Sequence, residues 1–245
     1  MIIAAAQTKP HNGNIEANIN DHLRFIEIAA LHGVQLIVFP EMSLTGYERE
    51  RALECYFTPD DTRLNVLKEP AVLHNMVIIA GAPIKIGQQL HVGSFIFSPD
   101  NTVSIYTKQF LHPGEEVAFS PNVNFNPVIQ LSVETISLAI CADIVNPLHP
   151  GNAAKKETSL YVASLFYTQG GISEAYQQLS EYAQMYSMNI LMANYTGTSY
   201  NLQSAGQSAF WNSNGTLVGK IDEDSGMLVV KNDNADWAAN VFLIV

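Results

Sequence analysis

The amino-acid sequence predicts a layered α/β (α+β) protein, and three observations carry that reading. Several short apolar runs are continuous rather than alternating, the pattern of strands buried on both faces. Between them lie segments whose apolar residues recur every three or four positions, the period of an amphipathic helix. Hydrophobic residues make up 47% of the 245-residue chain, enough to bury a large core. Helices alternating with apolar strands build sheets covered by helical layers.

The elements follow in order. Ile2–Ala6 reads as a short buried strand. "GNIEANINDHLRFIEIAALHG" then places Ile15, Ile19, Leu23, Ile26 and Ala30 on one helical stripe, with Gly33 as the C-terminal cap. "VQLIVFP" is a second apolar strand, stopped by Pro40. Strand, helix and strand in succession suggest a right-handed βαβ unit with parallel pairing. "MVIIAGAPIKI" and "HVGSFIFSPDNTVSIYTK" are strands, the latter broken by a turn at "SPDN". "ETISLAI" runs directly into Cys141; a helix is expected at 152–157, and "SLYVASLF" is a further strand. Ile172, Tyr176, Leu179 and Ala183 mark a helix over 172–188. "NILMANYTG", a hairpin in "QSAFWNSNGTLVGKI" turning at "NSNG", and "SGMLVVKND" complete the strands. "WAANVFLIV" reads as a short tail, with little scope for elaborate C-terminal contacts between copies. No linker, repeat or low-complexity run interrupts this pattern, so residues 1–245 read as one domain.

Composition narrows the partners. With 12 Lys+Arg against 23 Asp+Glu the formal charge is −11, which argues against nucleic acid and against an anionic membrane surface. No stretch approaches the roughly 20 apolar residues of a membrane span, and "MIIAAAQTKP" lacks the basic and apolar regions of a signal peptide. The 2 cysteines show neither a CxxC nor a zinc spacing, so the expectation is no metal and a free thiol in a reducing, cytoplasmic setting.

Three strands end in reactive residues. "LIVFPEMSLTGY" delivers Glu41, "VSIYTKQFLHPGEEVAF" delivers Lys108 and then Glu115 and Glu116, and "ISLAICAD" delivers Cys141. Each alone has an ordinary explanation: a core cysteine, a solvated strand-end lysine, a turn carboxylate. Together they answer one chemical need. A cysteine attacks carbon as thiolate, yet a free thiol with pKa ~8.5 is mostly protonated at neutral pH. A neighbouring carboxylate takes that proton as general base, and a lysine beside it favours the anion and stabilises the oxyanion of a tetrahedral intermediate. The peptide N–H of Ala142, just past the thiol, offers a second oxyanion donor. A second buried carboxylate would hold the lysine in place. No cofactor is needed.

"FPEMSLTGY", "YTKQFLHPGEEVAFSP" and "ICAD" followed by "NP" and "AA" resemble, in order, the three signature blocks of the nitrilase or carbon–nitrogen hydrolase superfamily. The flanks agree: "AAAQTKP", the first helix and second strand, "ILMANYTG" and "GQSAFWNSNGTLVGKI" resemble the corresponding family segments, so the likeness runs from about Met1 to residue 230. The resemblance implies a four-layer α-β-β-α sandwich, paired as a homodimer or larger homo-oligomer. It implies Glu41 as base, Lys108 as oxyanion-stabilising lysine, Cys141 as nucleophile and Glu115 as the supporting glutamate, with Glu116 the adjacent alternative. The implied reaction cleaves a non-peptide C–N bond of a small amide or carbamoyl compound through a thioester, releasing ammonia or amine. The "LHPGEE" block is more amidase-like than nitrilase-like.

Many family members carry an aromatic residue, Asp and a basic residue after the nucleophile, where this chain has Ala142, Asp143 and Ile144. A substrate-carboxylate clamp at that point is therefore not expected. Asp143 reads as a cap on the turn after the strand. Tyr47 and Asn194 match positions that often line the family's pocket; Phe166 and Tyr167, ending the strand after Cys141, are a candidate apolar wall and His112 a candidate substrate contact. His112 and His149, each before a proline, read as loop residues. Two alternatives stand beside the thiol hydrolase. One is a non-catalytic member that binds a small amide. The other is a metal-dependent phosphoesterase, whose GDxN and SDH strings do not occur here.

Overall fold

The computed structural model describes residues 1–233 and 236–244. The first half of the chain contains β1 (Ile2–Gln7), α1 (Ile15–Leu31), β2 (Leu36–Val38), α2 (Ala52–Cys55), α3 (Asn65–Leu73), β3 (Val77–Ile86), β4 (Gln89–Phe97) and β5 (Val103–Thr107). The middle contributes β6 (Ile129–Leu131), β7 (Glu134–Ile140), α4 (Leu148–Ala154), β8 (Leu160–Ser164), α5 (Ile172–Tyr186) and β9 (Asn189–Ala193). After these come β10 (Thr198–Ser199), β11 (Leu202–Gln203), β12 (Ala209–Trp211), β13 (Leu217–Lys220), β14 (Gly226–Asp233) and β15 (Asp236–Leu243).

Among the described residues, two large sheets form, one ordered β15-β14-β1-β2-β3-β4-β5 and the other β13-β12-β9-β8-β7-β6. The helix-linked strands pair in parallel: β1 with β2, β2 with β3, β7 with β8 and β8 with β9. The expected parallel βαβ start is present, with Ile3 opposite Leu36. Strands β3, β4 and β5 join antiparallel. Two reversals return β5 to the direction of β2, so both end at the same rim. That geometry brings Glu41 and Lys108 together.

The inner strands are buried on both faces, as their unbroken apolar runs require. Ile3, Ala5, Leu36, Val38 and Ile79 turn inward to meet Ile136, Leu138, Leu160 and Val162 of the second sheet. Their alternates Ala4, Ala6, Ile37, Ile78 and Ala80 pack against Phe25, Ile26 and Ala29 of α1 and Leu67 and Ala71 of α3. Helix α5 lays Ile172, Ala175, Leu179 and Ala183 on the second sheet's side of the core. The result is an α-β-β-α sandwich. Each fully buried Phe or Ile on these faces stabilises the layers by roughly 1.5–3 kcal/mol.

Four sequence expectations need correction. The buried face of α1 is centred on Asn18, His22, Phe25, Ile26 and Ala29, while Ile15, Ile19, Leu23 and Ala30 pack at its margin. Two polar residues hold the centre because their side chains are satisfied there. His22 Nε2 meets Ser43 Oγ at 2.9 Å, and Asn18 donates to the carbonyls of His11 and Leu44. The helix expected at 152–157 begins earlier, at Leu148. His149 is accordingly a buried helical residue, because Pro150 sits in the first turn, where an N–H has no helical partner to lose. The supposed tail is β15, paired along β14 from Gly226 opposite Leu243 to Asp233 opposite Asp236. Its last residue, Val245, lies outside the described residues.

Candidate active site

Glu41 sits in a tight turn after β2. Gly81 of β3 lets that turn approach: a side chain there would meet Met42 N at 2.4 Å and Pro40 O at 2.7 Å. The turn is pinned at both ends, Leu44 donating to Gly81 O at 2.9 Å and Gly81 donating to Ser43 Oγ at 3.1 Å. Ser43 in turn meets the buried His22, whose pKa burial lowers to about 4, so the ring stays neutral.

Lys108, the first residue beyond β5, donates to Glu41 Oε1 at 2.7 Å and to Glu115 Oε1 at 2.9 Å; all three side chains are fully buried. Glu115 Oε1 also accepts from the Tyr47 hydroxyl at 2.6 Å, and Oε2 accepts from the His112 N–H at 2.8 Å. Gly114, at φ +90°, makes the turn that presents Glu115. Glu116 is exposed and only closes the loop by accepting from Gly114 N–H at 2.7 Å. Of the two adjacent carboxylates, Glu115 is the one facing Lys108.

Cys141 follows β7 at φ +43°, a left-handed conformation that costs a non-glycine residue of order 1–3 kcal/mol. Asp143 holds this elbow. Its Oδ2 accepts from Ile140 N–H at 2.9 Å and Tyr106 hydroxyl at 2.7 Å, and its Oδ1 from Gln109 and Phe110 N–H, both at 2.9 Å. Asp143 is therefore more than a cap: it ties the cysteine turn to the residues just past Lys108. His149 extends the tie, lying between the hydroxyls of Tyr106 at 2.8 Å and Tyr161 at 2.7 Å.

Glu41 Oε2 is buried with no hydrogen-bond partner. The Cys141 thiol donates weakly to Phe166 O at 3.9 Å and lies within electrostatic reach of the Glu41 carboxyl. Burial pushes the Glu41 pKa up to about 7, Lys108 opposing and Glu115 reinforcing the rise. Burial works against the Lys108 ammonium, but Glu41, Cys141 and Glu115 outweigh it and keep the lysine charged. Burial and then the Glu41 charge raise the Cys141 thiol well above its ordinary value, so it rests protonated. The group thus holds a reluctant thiol, a carboxylate with a free oxygen and a pKa near neutrality, and a fixed cation.

Cys141, Ala142 and Glu41 open on a cavity of about 590 Å³ whose wall includes Tyr47, His112 and Phe166, three of the predicted contacts. The Tyr47 ring packs against Phe166 at 5.0 Å and Tyr200 at 5.7 Å. Asn194 is not on that wall. Its amide is spent on backbone, accepting from Tyr167 N–H at 2.9 Å and donating to Tyr167 O and Gly206 O, so it holds the wall instead of lining it. A second groove, about 690 Å³, shares His112, Pro113, Ala142 and Val145 but contains neither Cys141 nor Glu41. Tyr167, read with Phe166 as an apolar wall, is on it too, whereas sequence reasoning missed Gly81, Arg49, Glu174 and Gln178. Only Gly81, an isolated glycine inside a strand run, carried a signal of close backbone approach. Among the described residues no group of three or more His, Cys, Asp or Glu side chains is arranged to hold a metal ion. No helix among them is long and apolar enough to cross a membrane.

The carbon-nitrogen hydrolase profile matches residues 2–239. The chain belongs to the carbon-nitrogen hydrolase family. Relatives of this chain include the glutamine-dependent NAD(+) synthetase of Acinetobacter baylyi, 26% identical over 229 residues that cover 88% of this chain and 41% of the synthetase. A second such synthetase, from Thermotoga maritima, is matched over 26% of its length, so the chain spans well under half of either protein. The nitrilase of Pyrococcus abyssi is 26% identical over 145 residues, 58% of this chain and 55% of that one. Among solved structures, the NitN amidase from Nesterenkonia sp. AN1 superposes with a TM-score of 0.87 at 22% identity, over 96% of this chain and 94% of the amidase. A mutant of that amidase carries the acetamide moiety of fluoroacetamide on its active-site cysteine.

Proposed function

We propose that this carbon-nitrogen hydrolase is a thiol amidase that cleaves a non-peptide C–N bond of a small amide or carbamoyl compound through an acyl-thioester on Cys141. The observation that carries the reading is the unpaired, buried Oε2 of Glu41, which shares a cavity with Cys141, with Lys108 fixed between two carboxylates.

In this reading Glu41 takes the thiol proton as Sγ attacks the carbonyl carbon, a step general-base catalysis accelerates by about 10²–10⁴. The carbonyl oxygen becomes an oxyanion held by Lys108 and the Ala142 N–H. Protonated Glu41 returns its proton to the nitrogen as the C–N bond breaks, and ammonia or amine leaves. Water then gives a proton to Glu41, attacks the thioester carbon, and expels the thiolate, which recovers that proton. Glu115 keeps Lys108 in place, and Tyr47, a neutral phenol donor because burial and then the Glu41 and Glu115 charges raise its pKa, keeps Glu115 in place. The cysteine adduct of the Nesterenkonia amidase supports the covalent route. Assembly as a homodimer or larger homo-oligomer belongs to the same reading.

Intact-mass measurement after incubation with a panel of small amides is the test. A transient acyl adduct on Cys141, absent in Cys141→Ala, is expected. Normal hydrolysis by Cys141→Ala would overturn the mechanism. Binding without adduct or product would mark a non-catalytic amide-binding member instead.

A further inference from the structure

Helix α5 contributes Glu174 and Gln178 to the wall of the Cys141 cavity, at i and i+4 and so on one helix face. Gln178 Oε1 is buried and has no hydrogen-bond partner. A buried acceptor left unpaired is costly, and a ligand N–H reaching it removes that cost. No cation among the described residues pairs with Glu174. Two acceptors, one of them anionic, therefore share this wall, and among the described residues neither is paired with a cation.

Elsewhere on the wall the cation is already in contact with other groups. Ala142 and Val145, past the nucleophile, supply no cation. Arg49 lies on the wall but is engaged, its Nε donating to Tyr200 hydroxyl at 2.7 Å and Glu50 Oε1 at 3.3 Å. Tyr167 lines the same cavity of about 590 Å³ as Cys141, Glu174 and Gln178. A single small molecule can span the thiol and the α5 pair.

We propose that Glu174 and Gln178 form a specificity subsite that receives an N–H donor, above all a protonated amine, at the end of the substrate remote from the scissile amide. This rests on the amide-hydrolase reading above and names its substrate class: short amides with a distal ammonium group. A charged donor to Glu174 and Gln178 forms charge-assisted hydrogen bonds that a methyl group of the same size cannot make.

The test compares three primary amides of equal chain length ending in methyl, ammonium or carboxylate. In the wild-type enzyme kcat/KM should rank ammonium over methyl over carboxylate. Glu174→Gln should lower the ammonium-to-methyl ratio by about tenfold. Gln178→Leu should lower it as well, and Gln178→Glu should raise it. A wild-type enzyme that prefers the methyl or the carboxylate amide overturns the proposal, as does an unchanged ratio in Glu174→Gln. If none of the three is hydrolysed, it is the amidase reading that fails. Calorimetric binding to Cys141→Ala then decides the subsite: tighter binding of the ammonium amide sustains it, and equal or weaker binding overturns it.

Discussion

Lys108 Nζ donates a 2.7 Å hydrogen bond to Glu41 Oε1, while the other oxygen of the same carboxylate has no partner. One oxygen thus anchors the proposed base and the other stays available for a proton. The lysine is also the only cation facing two fully buried carboxylates among the described residues. Lys108→Met would leave Glu41 and Glu115 buried without it. Denaturant melts at neutral pH should show a loss of about 3–5 kcal/mol, alongside loss of amide turnover. A melt like that of the wild type would mean the cluster is not ionised as described.

Glu41→Gln keeps the shape of the base and removes its proton affinity. Alkylation of Cys141 by iodoacetamide should slow by about 100-fold or more, with the thiol still titratable after unfolding. Unchanged alkylation kinetics would reject Glu41 as the base.

The same carboxyl sets a pH dependence. In the proposed mechanism Glu41 must be ionised to accept the thiol proton, and burial has raised its pKa from 4.5 to about 7. Activity should therefore fall as pH drops through about 7, with kcat/KM losing one decade per pH unit below it. An acid limb centred near the ordinary carboxylate value would show that burial does not control this group.

Gly81→Ala places a methyl group 2.4 Å from Met42 N and 2.7 Å from Pro40 O, both backbone atoms. The turn must move, at a cost of about 1–3 kcal/mol. Because Glu41 rides on that turn, kcat should fall by about 100-fold even where the protein remains folded. An equal kcat loss in Gly87→Ala, whose cost is the backbone strain of φ +60° with nothing within 4 Å of the added group, would argue against this specific route.

Asp143→Asn sets an amide against the N–H groups of Ile140, Gln109 and Phe110 that the carboxylate now accepts. Thermal and denaturant melts should show about 3 kcal/mol of destabilisation. Alkylation of Cys141 should become less sensitive to Glu41, because the elbow and the Lys108 loop are no longer tied. A variant with wild-type stability would assign the carboxylate a lesser part than its four hydrogen bonds indicate.

Much of the architecture was legible locally. The apolar runs around Ile3, Ile37 and Ile79 read as strands because strands covered on both faces need no polar alternation. The helix over 172–188 was legible because Ile172, Leu179 and Ala183 meet the sheet at helical spacing. Helix α1 was placed in sequence but rotated in face, since His22 and Asn18 gain their buried positions from Ser43, His11 and Leu44, partners distant in sequence. His149 was read from the proline beside it, and Pro150 proved compatible with a first helical turn. Asn194 looked like a pocket residue, yet its amide is consumed by Tyr167 and Gly206.

By itself the sequence determined the layered alternation of strands and helices, and the reactive residues at three strand ends, because both follow from residue type and spacing. Only the tertiary structure decided that Glu115 and not Glu116 meets Lys108, that Gly81 admits the Glu41 turn, and that Asp143 joins two loops. It alone placed Glu174 and Gln178 on the cavity wall. Such facts depend on where two sheets and their covering helices come to rest against each other. Periodicity reports which face of an element is buried, whereas a contact between side chains far apart in sequence is set by packing that no local pattern records.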